Sequence, residues 1–331
     1  MCYNALMSLD LSSPKIIKEI LTKYGTKPSK GMGQNFLINR QILKKIIETG
    51  EIKPKDIVLE IGPGIGTLTQ ELAKNAKKII AVEKDEKMCE ILKKTLSDFE
   101  NIEIIHGDIL KFENLEIERL IENCKLVACS PEGSIENYKI VANIPYYITS
   151  PLIRKFLEFP KPPHDFVLMV QKEVAQRICA KPPSPPTNFE YGKGENTKRK
   201  NNPKLVGGKM SLLSVSVQFY ADAKIISYVK KDNFWPKPKV DSAIIKITPR
   251  GLTSREAGGQ TSPDLFFKIV KAGFSHPRKQ LSNNLSALKK TNNIELTKNE
   301  ISDWLLKNKI SPNQRAETLS VADWINLTNS F

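Results

Sequence analysis

Four points along this chain carry side chains able to grip a small polar ligand, and each directly follows a short apolar run. The first is Glu60-Ile61-Gly62-Pro63-Gly64-Ile65-Gly66, where glycines let the backbone turn sharply and lie close to a ligand at the start of a helix. The second is Glu83, 21 residues past Gly62, the spacing at which an acid takes both hydroxyls of a ribose. The third is Gly107-Asp108, a carboxylate that can accept from an adenine amine. The fourth is Asn143-Ile144-Pro145-Tyr146. Alone, a glycine loop of this kind is weak, because dinucleotide enzymes have a similar one and many such loops bind nothing. A single Glu83 or Asp108 is more often a turn or capping acid. Strand-end residues of an open α/β sheet face one crevice, so all four in register describe a nucleoside site. Nicotinamide enzymes have no use for the fourth point, and the set therefore favours S-adenosylmethionine.

The tetrapeptide at 143–146 suggests what the site acts on. The N6 amine of adenine is a poor nucleophile because its lone pair is delocalised into the ring. Two acceptors, the Asn143 side-chain oxygen and the Ile144 carbonyl aimed by the rigid Pro145, would localise that pair toward a methyl donor. Tyr146 would stack on a flipped base. Such a site needs positioning more than a strong general base. The bland alternative is a proline turn beside a surface tyrosine. A second target-side element is Phe234-Trp235-Pro236-Lys237-Pro238-Lys239-Val240-Asp241-Ser242, whose prolines stiffen a loop that presents Phe234 as an opposing face for the base. An ordinary buried aromatic before an edge strand explains that spacing equally well.

The elements that must hold these residues follow from hydrophobic pattern. Ile57–Ile61, Ile79–Val82, Ile102–Ile105, Ile140–Ala142 and Phe166–Val170 are short, apolar and β-branched, as strands buried on both faces of a parallel sheet should be. Helical periods separate them at Leu68–Lys74, Met88–Leu96 and Ser150–Phe159. The pattern predicts a Rossmann-like, doubly wound α/β domain over 1–249, with Ala223–Val229 and Val240–Ile247 forming a hairpin on its edge. Two amphipathic helices precede its first strand, one opened by Ser13-Pro14 and one through Ile42, Leu43, Ile46 and Ile47. After Pro249 the signals are helical alone. Ser262-Pro263-Asp264 starts one helix, Leu281, Leu285 and Leu288 stripe a second, Thr297-Lys298-Asn299-Glu300 is a capping box for a third, and Ser320 caps a fourth. Residues 250–331 are thus expected to form a small all-helical domain. Lys181–Met210 is rich in Pro, Gly, Asn and Lys and predicts a flexible basic loop; Cys124–Asn137 predicts an extended connection.

Composition narrows the partners. The 331 residues carry 51 Lys and Arg against 36 Asp and Glu, a formal net charge of +15, which favours a polyanion over a merely solvated basic surface. Cys2, Cys89, Cys124, Cys129 and Cys179 form no C-x-x-C pair, and with three histidines they give no metal site and no disulfide framework, pointing to a reducing compartment. Met1–Leu11 lacks the basic flank and apolar core of a signal peptide, and no run reaches the ~18 apolar residues of a spanning helix. A cytoplasmic protein without membrane association, and with no sign of an obligate oligomer, is expected.

The ordered motifs resemble those of the KsgA/RsmA family of ribosomal RNA small-subunit adenine dimethyltransferases. The likeness runs from about Lys30 to Leu327, through Gly33-Gln34-Asn35-Phe36-Leu37, the Glu60–Gly66 loop, Asn143–Tyr146, Gln171-Lys172-Glu173-Val174, Phe234–Ser242, Arg278–Leu285 and Arg315-Ala316-Glu317-Thr318-Leu319-Ser320. The resemblance implies S-adenosylmethionine-dependent N6,N6-dimethylation of two adjacent adenosines near the 3′ end of small-subunit (16S) rRNA, within a precursor ribosomal subunit late in assembly. It adds Asn35 and Leu37 to a cofactor site of Gly62, Gly64, Glu83, Asp108 and Asn143. It makes Asn143, Ile144, Pro145, Tyr146 and Phe234 the catalytic set, Tyr146 and Phe234 sandwiching the base, and sends Arg278 and Lys279 to RNA phosphate. This chain departs from the family where Gly194–Leu212 splits Tyr191-Gly192-Lys193 from Leu213-Ser214-Val215, a basic insertion that either contacts rRNA or, the favoured reading, is disordered. His276-Pro277 also stands where a more basic stretch is expected.

Three rival readings stay open. A large-subunit rRNA methyltransferase of the antibiotic-resistance type shares the cofactor and Asn-Pro-Tyr motifs, but Arg315–Ser320 and the long helical tail favour the small subunit. A non-catalytic assembly or transcription factor on the same fold has no need of intact Glu83, Asp108, Asn143 and Tyr146. A DNA amine methyltransferase is disfavoured by the C-terminal match.

Overall fold

The computed structural model describes residues 9–126, 138–183, 209–250, 261–286, 288 and 296–331. These divide into two compact units, one of Met1–Ala175 with Ala221–Pro249 and one of Gln176–Tyr220 with Arg250–Phe331.

In the first unit, five β-branched runs become the parallel strands β2 (Ile57–Ile61), β3 (Lys78–Glu83), β4 (Ile102–His106), β5 (Tyr138–Asn143) and β6 (Phe166–Gln171). Side chains of β2 and β5 are buried almost throughout, the reason these strands read as continuous apolar runs rather than alternating ones. The antiparallel strands β7 (Ala221–Val229) and β9 (Ser242–Pro249) complete a seven-stranded sheet in the order β4-β3-β2-β5-β6-β9-β7. The hairpin expected at the sheet edge is these two strands. Between them lies β8 (Phe234–Trp235), which pairs antiparallel with β1 (Phe36–Leu37) in a separate two-stranded ribbon.

The chain leaves β2 toward β3 and β4, then returns to build β5 and β6 on the other side of β2. That reversal opens a crevice at the carboxyl ends of β2 and β5, where ligands of open α/β sheets bind. Helices α1 (Pro14–Lys23), α2 (Arg40–Gly50), α3 (Thr67–Ala73), α4 (Glu86–Thr95), α5 (Asn114–Leu126) and α6 (Thr149–Leu157) flank and connect the strands. Leu43 and Ile46 of α2 and Leu68 and Leu72 of α3 pack against Val58, Ile79, Val141 and Val167 of the sheet. Each such fully buried aliphatic side chain contributes about 1.5–3 kcal/mol.

The second unit is helical: α7 (Lys172–Ile178, beginning in the first unit), α8 (Leu212–Tyr220), α9 (Pro263–Gly273), α10 (Leu281–Leu285), α11 (Lys298–Lys307) and α12 (Val321–Asn329). The capping box expected at Thr297 and Glu300 is present, and Ser320, expected as a cap, forms a second box with Asp323. The boundary differs from the expectation of a domain ending at 249, because Gln176–Tyr220 belongs to this unit as well. The reason is packing: Ala180, Met210 and Val215 share one core with Phe266, Leu281 and Trp324, and Phe219 stacks on Phe266 with centroids 4.0 Å apart.

Two expectations need adjustment. Cys124–Leu126 ends helix α5 rather than starting an extended connection, and 127–137 lie outside the described residues. Most of the basic loop and insertion, 184–208, is likewise outside them. The insertion's last residues are ordered: Met210 N–H donates to the Glu317 carbonyl at 3.0 Å, Lys209 pairs with the Glu317 carboxylate at 3.0 Å, and Leu212 begins α8. Among the described residues, Cys89 and Cys179 are free thiols, and no helix is long and apolar enough to cross a membrane.

Candidate active site

The crevice is a cleft of about 970 Å³, open solvent at its mouth included, lined by residues from the ends of β2, β3, β4 and β5 and from the segment at 32–37. Its floor is the glycine loop after β2. Gly62 and Gly64 have φ of 68° and 61°, a region costly for residues with a Cβ. A Cβ on Gly64 would also lie 2.9 Å from the Phe36 ring, and one on Gly62 would lie 3.2 Å from Pro145. The loop thus needs glycine for backbone conformation and for the close approach of two neighbouring segments.

Glu83 closes β3 with its side chain 7% exposed. Its Oε2 accepts from Gly64 N–H at 3.0 Å and its Oε1 from Asp85 N–H at 2.9 Å. Burial pushes its pKa above the ordinary carboxylate value, and these backbone donors oppose the shift. Held by backbone on both oxygens, the carboxylate keeps lone pairs for a diol. At the end of β4, Asp108 accepts from Leu110 N–H and pairs with Lys84 at 3.0 Å. Burial raises its pKa, but the hydrogen bonds from Lys84 and Leu110 and the charges of Lys84 and Lys111 outweigh it, holding the group below its usual value.

Asn143 ends β5, and its Nδ2 donates to the Asn35 carbonyl at 3.0 Å. That bond orients the amide: the NH₂ faces the 32–37 segment, and Oδ1 is the end left to accept. Asn35 and its neighbours are themselves fixed, since Gln34 Nε2 donates to Asp85 at 2.9 Å and β1 pairs Leu37 with Phe234. Ile144 is 2% exposed. Pro145 precedes a single 3₁₀ turn, Tyr146–Ile148. The Tyr146 hydroxyl lies 2.7 Å from Ser242 Oγ at the start of β9, and burial pushes its phenol pKa up. Tyr147 stands 55% exposed at the cleft mouth.

The sequence-expected residues Asn35, Leu37, Gly62, Gly64, Glu83, Asp108, Asn143, Ile144, Pro145 and Tyr146 all line this one cleft. Phe234 does not. It is 3% exposed and packs with Leu37, Leu68 and Met169 in the core of the first unit, because its place in the two-residue ribbon turns the ring inward. Arg278 and Lys279 are exposed residues of the second unit.

Among the lining residues that the sequence reading passed over are Glu60, Lys84 and Tyr147. Glu60 opens the glycine motif but was assigned no role. It is 1% exposed, its Oε2 has no partner among the described residues, and burial, with the charge of Glu83 acting in the same direction, lifts its pKa to about 8. Lys84 and Tyr147 each directly follow an expected residue, and that adjacency was the one available signal.

Comparison with known proteins decides what this cleft belongs to. The family described as ribosomal RNA adenine dimethylase matches residues 25–186 and 199–331. The chain belongs to that family. Ribosomal RNA small subunit methyltransferase A of Clostridioides difficile is 40% identical over 319 residues, 96% of each chain. The protein of the same name from Alkaliphilus oremlandii is 38% identical over 325 residues, 97% of this chain and 98% of that one. Among solved structures, a dimethyladenosine transferase from Plasmodium falciparum superposes with a TM-score of 0.62 at 28% identity, over 88% of this chain and 95% of that one. The 23S rRNA methyltransferase ErmE, with a TM-score of 0.59 and 24% identity over 89% and 99% of the two chains, shows the shared fold alone. As a ribosomal RNA adenine dimethylase, the chain is an S-adenosylmethionine-dependent rRNA methyltransferase.

Proposed function

We propose that the enzyme places two methyl groups on the N6 amine of each of two adjacent adenosines near the 3′ end of 16S rRNA, acting as a monomer in the cytoplasm on a precursor small subunit. The observation that carries the target chemistry is the orientation of Asn143, whose NH₂ is spent on the Asn35 carbonyl at 3.0 Å so that Oδ1 is left to accept from an amine.

The cleft suits the cofactor. Glu83 offers a backbone-anchored carboxylate for ribose hydroxyls, Asp108 a carboxylate at the next strand end for an adenine amine, and the glycine loop a floor with no Cβ at Gly62 or Gly64. The unpartnered oxygen of Glu60 is a further polar group awaiting a ligand donor. When bound there, S-adenosylmethionine supplies an electrophilic methyl group. Asn143 Oδ1 and the Ile144 carbonyl would take the two N–H bonds of the target amine, and both are strongest as the nitrogen gains positive charge. Tyr146, braced by Ser242, would hold the base by its face. Lys84 lies on the Asp108 side of the cleft, so the adenine amine of the cofactor would share Asp108 with that ammonium.

Small-subunit specificity is supported by relatives 38–40% identical along nearly their whole length, which carry that name. The test is incubation of unmethylated small subunits, and separately of unmethylated large subunits, with tritiated cofactor, followed by mapping of the labelled nucleoside. Label in adjacent adenosines near the 3′ end of the small-subunit rRNA is expected; label confined to large-subunit rRNA, or to neither, would overturn the reading.

A further inference from the structure

The rim of the sheet beyond Tyr146 carries a second aromatic surface. Ser242, one hydrogen bond from Tyr146, pairs across the ladder with Gln171 of β6 on one side and Val229 of β7 on the other. Successive residues of a strand face opposite sides of the sheet, so the residues beside these partners stand at the same end of the strands as the Tyr146–Ser242 contact but, on β7, on the opposite face. They are Lys172, whose N–H donates to the Asp241 carbonyl at 3.0 Å, and Tyr228, the register partner of Ala243. Tyr228 is 52% exposed, and the Lys172 ammonium sits over its ring, 5.3 Å from the centroid.

The surroundings suit one kind of partner. Among the described residues seven large apolar side chains are exposed; Tyr228 is one, Val240 another, two residues before Ser242, and Tyr147 a third, at the cleft mouth. Lys172, Lys230, Lys237 and Lys239 are exposed and Lys231 is half-buried. The acids among them are Glu173, Asp232, which pairs with Lys237, and Asp241, whose carboxylate accepts from Lys231 N–H. A protein partner would favour a drier apolar patch with fewer ammonium groups. Exposed aromatic rings interleaved with lysines suit single-stranded nucleic acid, in which bases stack and phosphates pair with cations.

We propose that the rRNA strand flanking the target adenosine runs along this rim, with the base of a neighbouring nucleotide stacked on Tyr228 and its phosphates held by Lys172, Lys230, Lys231, Lys237 and Lys239. This rests on the rRNA-adenine reading of the cleft and extends it past the target nucleotide. Lys172 stands over one face of the Tyr228 ring, so a base on the opposite face completes a cation–ring–base stack.

The experiment uses the full-length enzyme with unmethylated small subunits and with a protein-free fragment of the rRNA 3′ end. Tyr228→Ala should raise KM for RNA about tenfold, the size of one lost base stack, with kcat within twofold and cofactor affinity unchanged. Tyr228→Phe keeps the ring and should restore KM. The Lys230→Gln, Lys231→Gln double variant should reduce the salt slope of fragment binding by about 1.4. A KM for Tyr228→Ala within twofold of wild type, or a Phe variant as weak as the Ala variant, would overturn the platform. Should wild-type enzyme bind the fragment but label no adenine, the target reading falls, and the binding arm still decides the platform.

Discussion

Glu60 and Asn143 sit on neighbouring strands of one cleft and differ in what they ask of pH. Glu60 is buried with a pKa pushed up to about 8, so in the empty enzyme it is neutral at physiological pH. The folded chain holds that proton more tightly than the unfolded chain, whose carboxyl titrates near 4.5. The stability this provides is full below about pH 4.5 and is lost as pH rises toward 8, where folding must bury an anion. Glu60→Gln removes the dependence. Melting temperatures of the ligand-free proteins at pH 5 and pH 8.5 are expected to show the variant gaining on wild type at the higher pH; parallel curves would mean the carboxyl is already ionised. Asn143 carries no titration, and its contribution is to the transition state. Asn143→Ala is expected to lower kcat by about 10²–10³, the usual cost of one preorganised polar contact to a reacting group, with rRNA affinity within twofold. Wild-type turnover in that variant would remove Asn143 from the mechanism.

At the scale of elements, β5 is anchored at the end opposite its chemistry. Lys139 is 6% exposed, and its ammonium donates to the Gly50 and Glu51 carbonyls, both at 2.9 Å, and to Asp56 at 2.8 Å. It ties the end of α2 and the turn before β2 to the start of the strand that delivers Asn143. Lys139→Met would leave Asp56 buried with only the Lys53 N–H for compensation. A loss of about 3–5 kcal/mol in unfolding free energy is expected, with kcat little changed under conditions where the variant is folded; a loss below about 1 kcal/mol would show that the pair is replaceable. None of this was legible in the sequence, where Lys139 is a polar residue inside a strand pattern. What was legible were runs that decide their own structure: the β-branched strands, the proline-opened helix, the Thr297–Glu300 capping box and the Ser320 cap. Partnerships set by tertiary packing were not. Phe234 sits on a two-residue strand, too short for a period to say which way its ring points, and only pairing with β1 turns it inward. Helix α8 was not read from the sequence at all, and the core it joins is set by its packing on Phe266. Glu60, Lys84 and Tyr147 were hidden because their value lies in what the fold places opposite them.

For the whole molecule the question is where a surplus of +15 meets RNA. Each phosphate contact contributes to a linear fall of log affinity with log salt, about 0.7 per contact on single strands. Five lysines on the rim would give a slope near −3.5 and a roughly hundredfold loss of affinity between about 50 and 200 mM salt. Arg278 and Lys279, exposed on the second unit, are proposed to add contacts of the same kind through the part of the chain that carries no cofactor residue. Arg278→Gln with Lys279→Gln is therefore expected to weaken rRNA binding about equally for all sequences and to reduce the salt slope by about 1.4, while leaving the cofactor Kd unchanged. Lys44→Gln is a control of the same chemistry. That exposed lysine on α2 lies near Glu48 at 3.7 Å, an exposed pair of the kind that contributes about 0–1 kcal/mol to stability, and its removal should not move the slope. Binding titrations at four salt concentrations separate the cases. An unchanged slope in the Arg278–Lys279 double variant would confine phosphate recognition to the unit that holds the cleft.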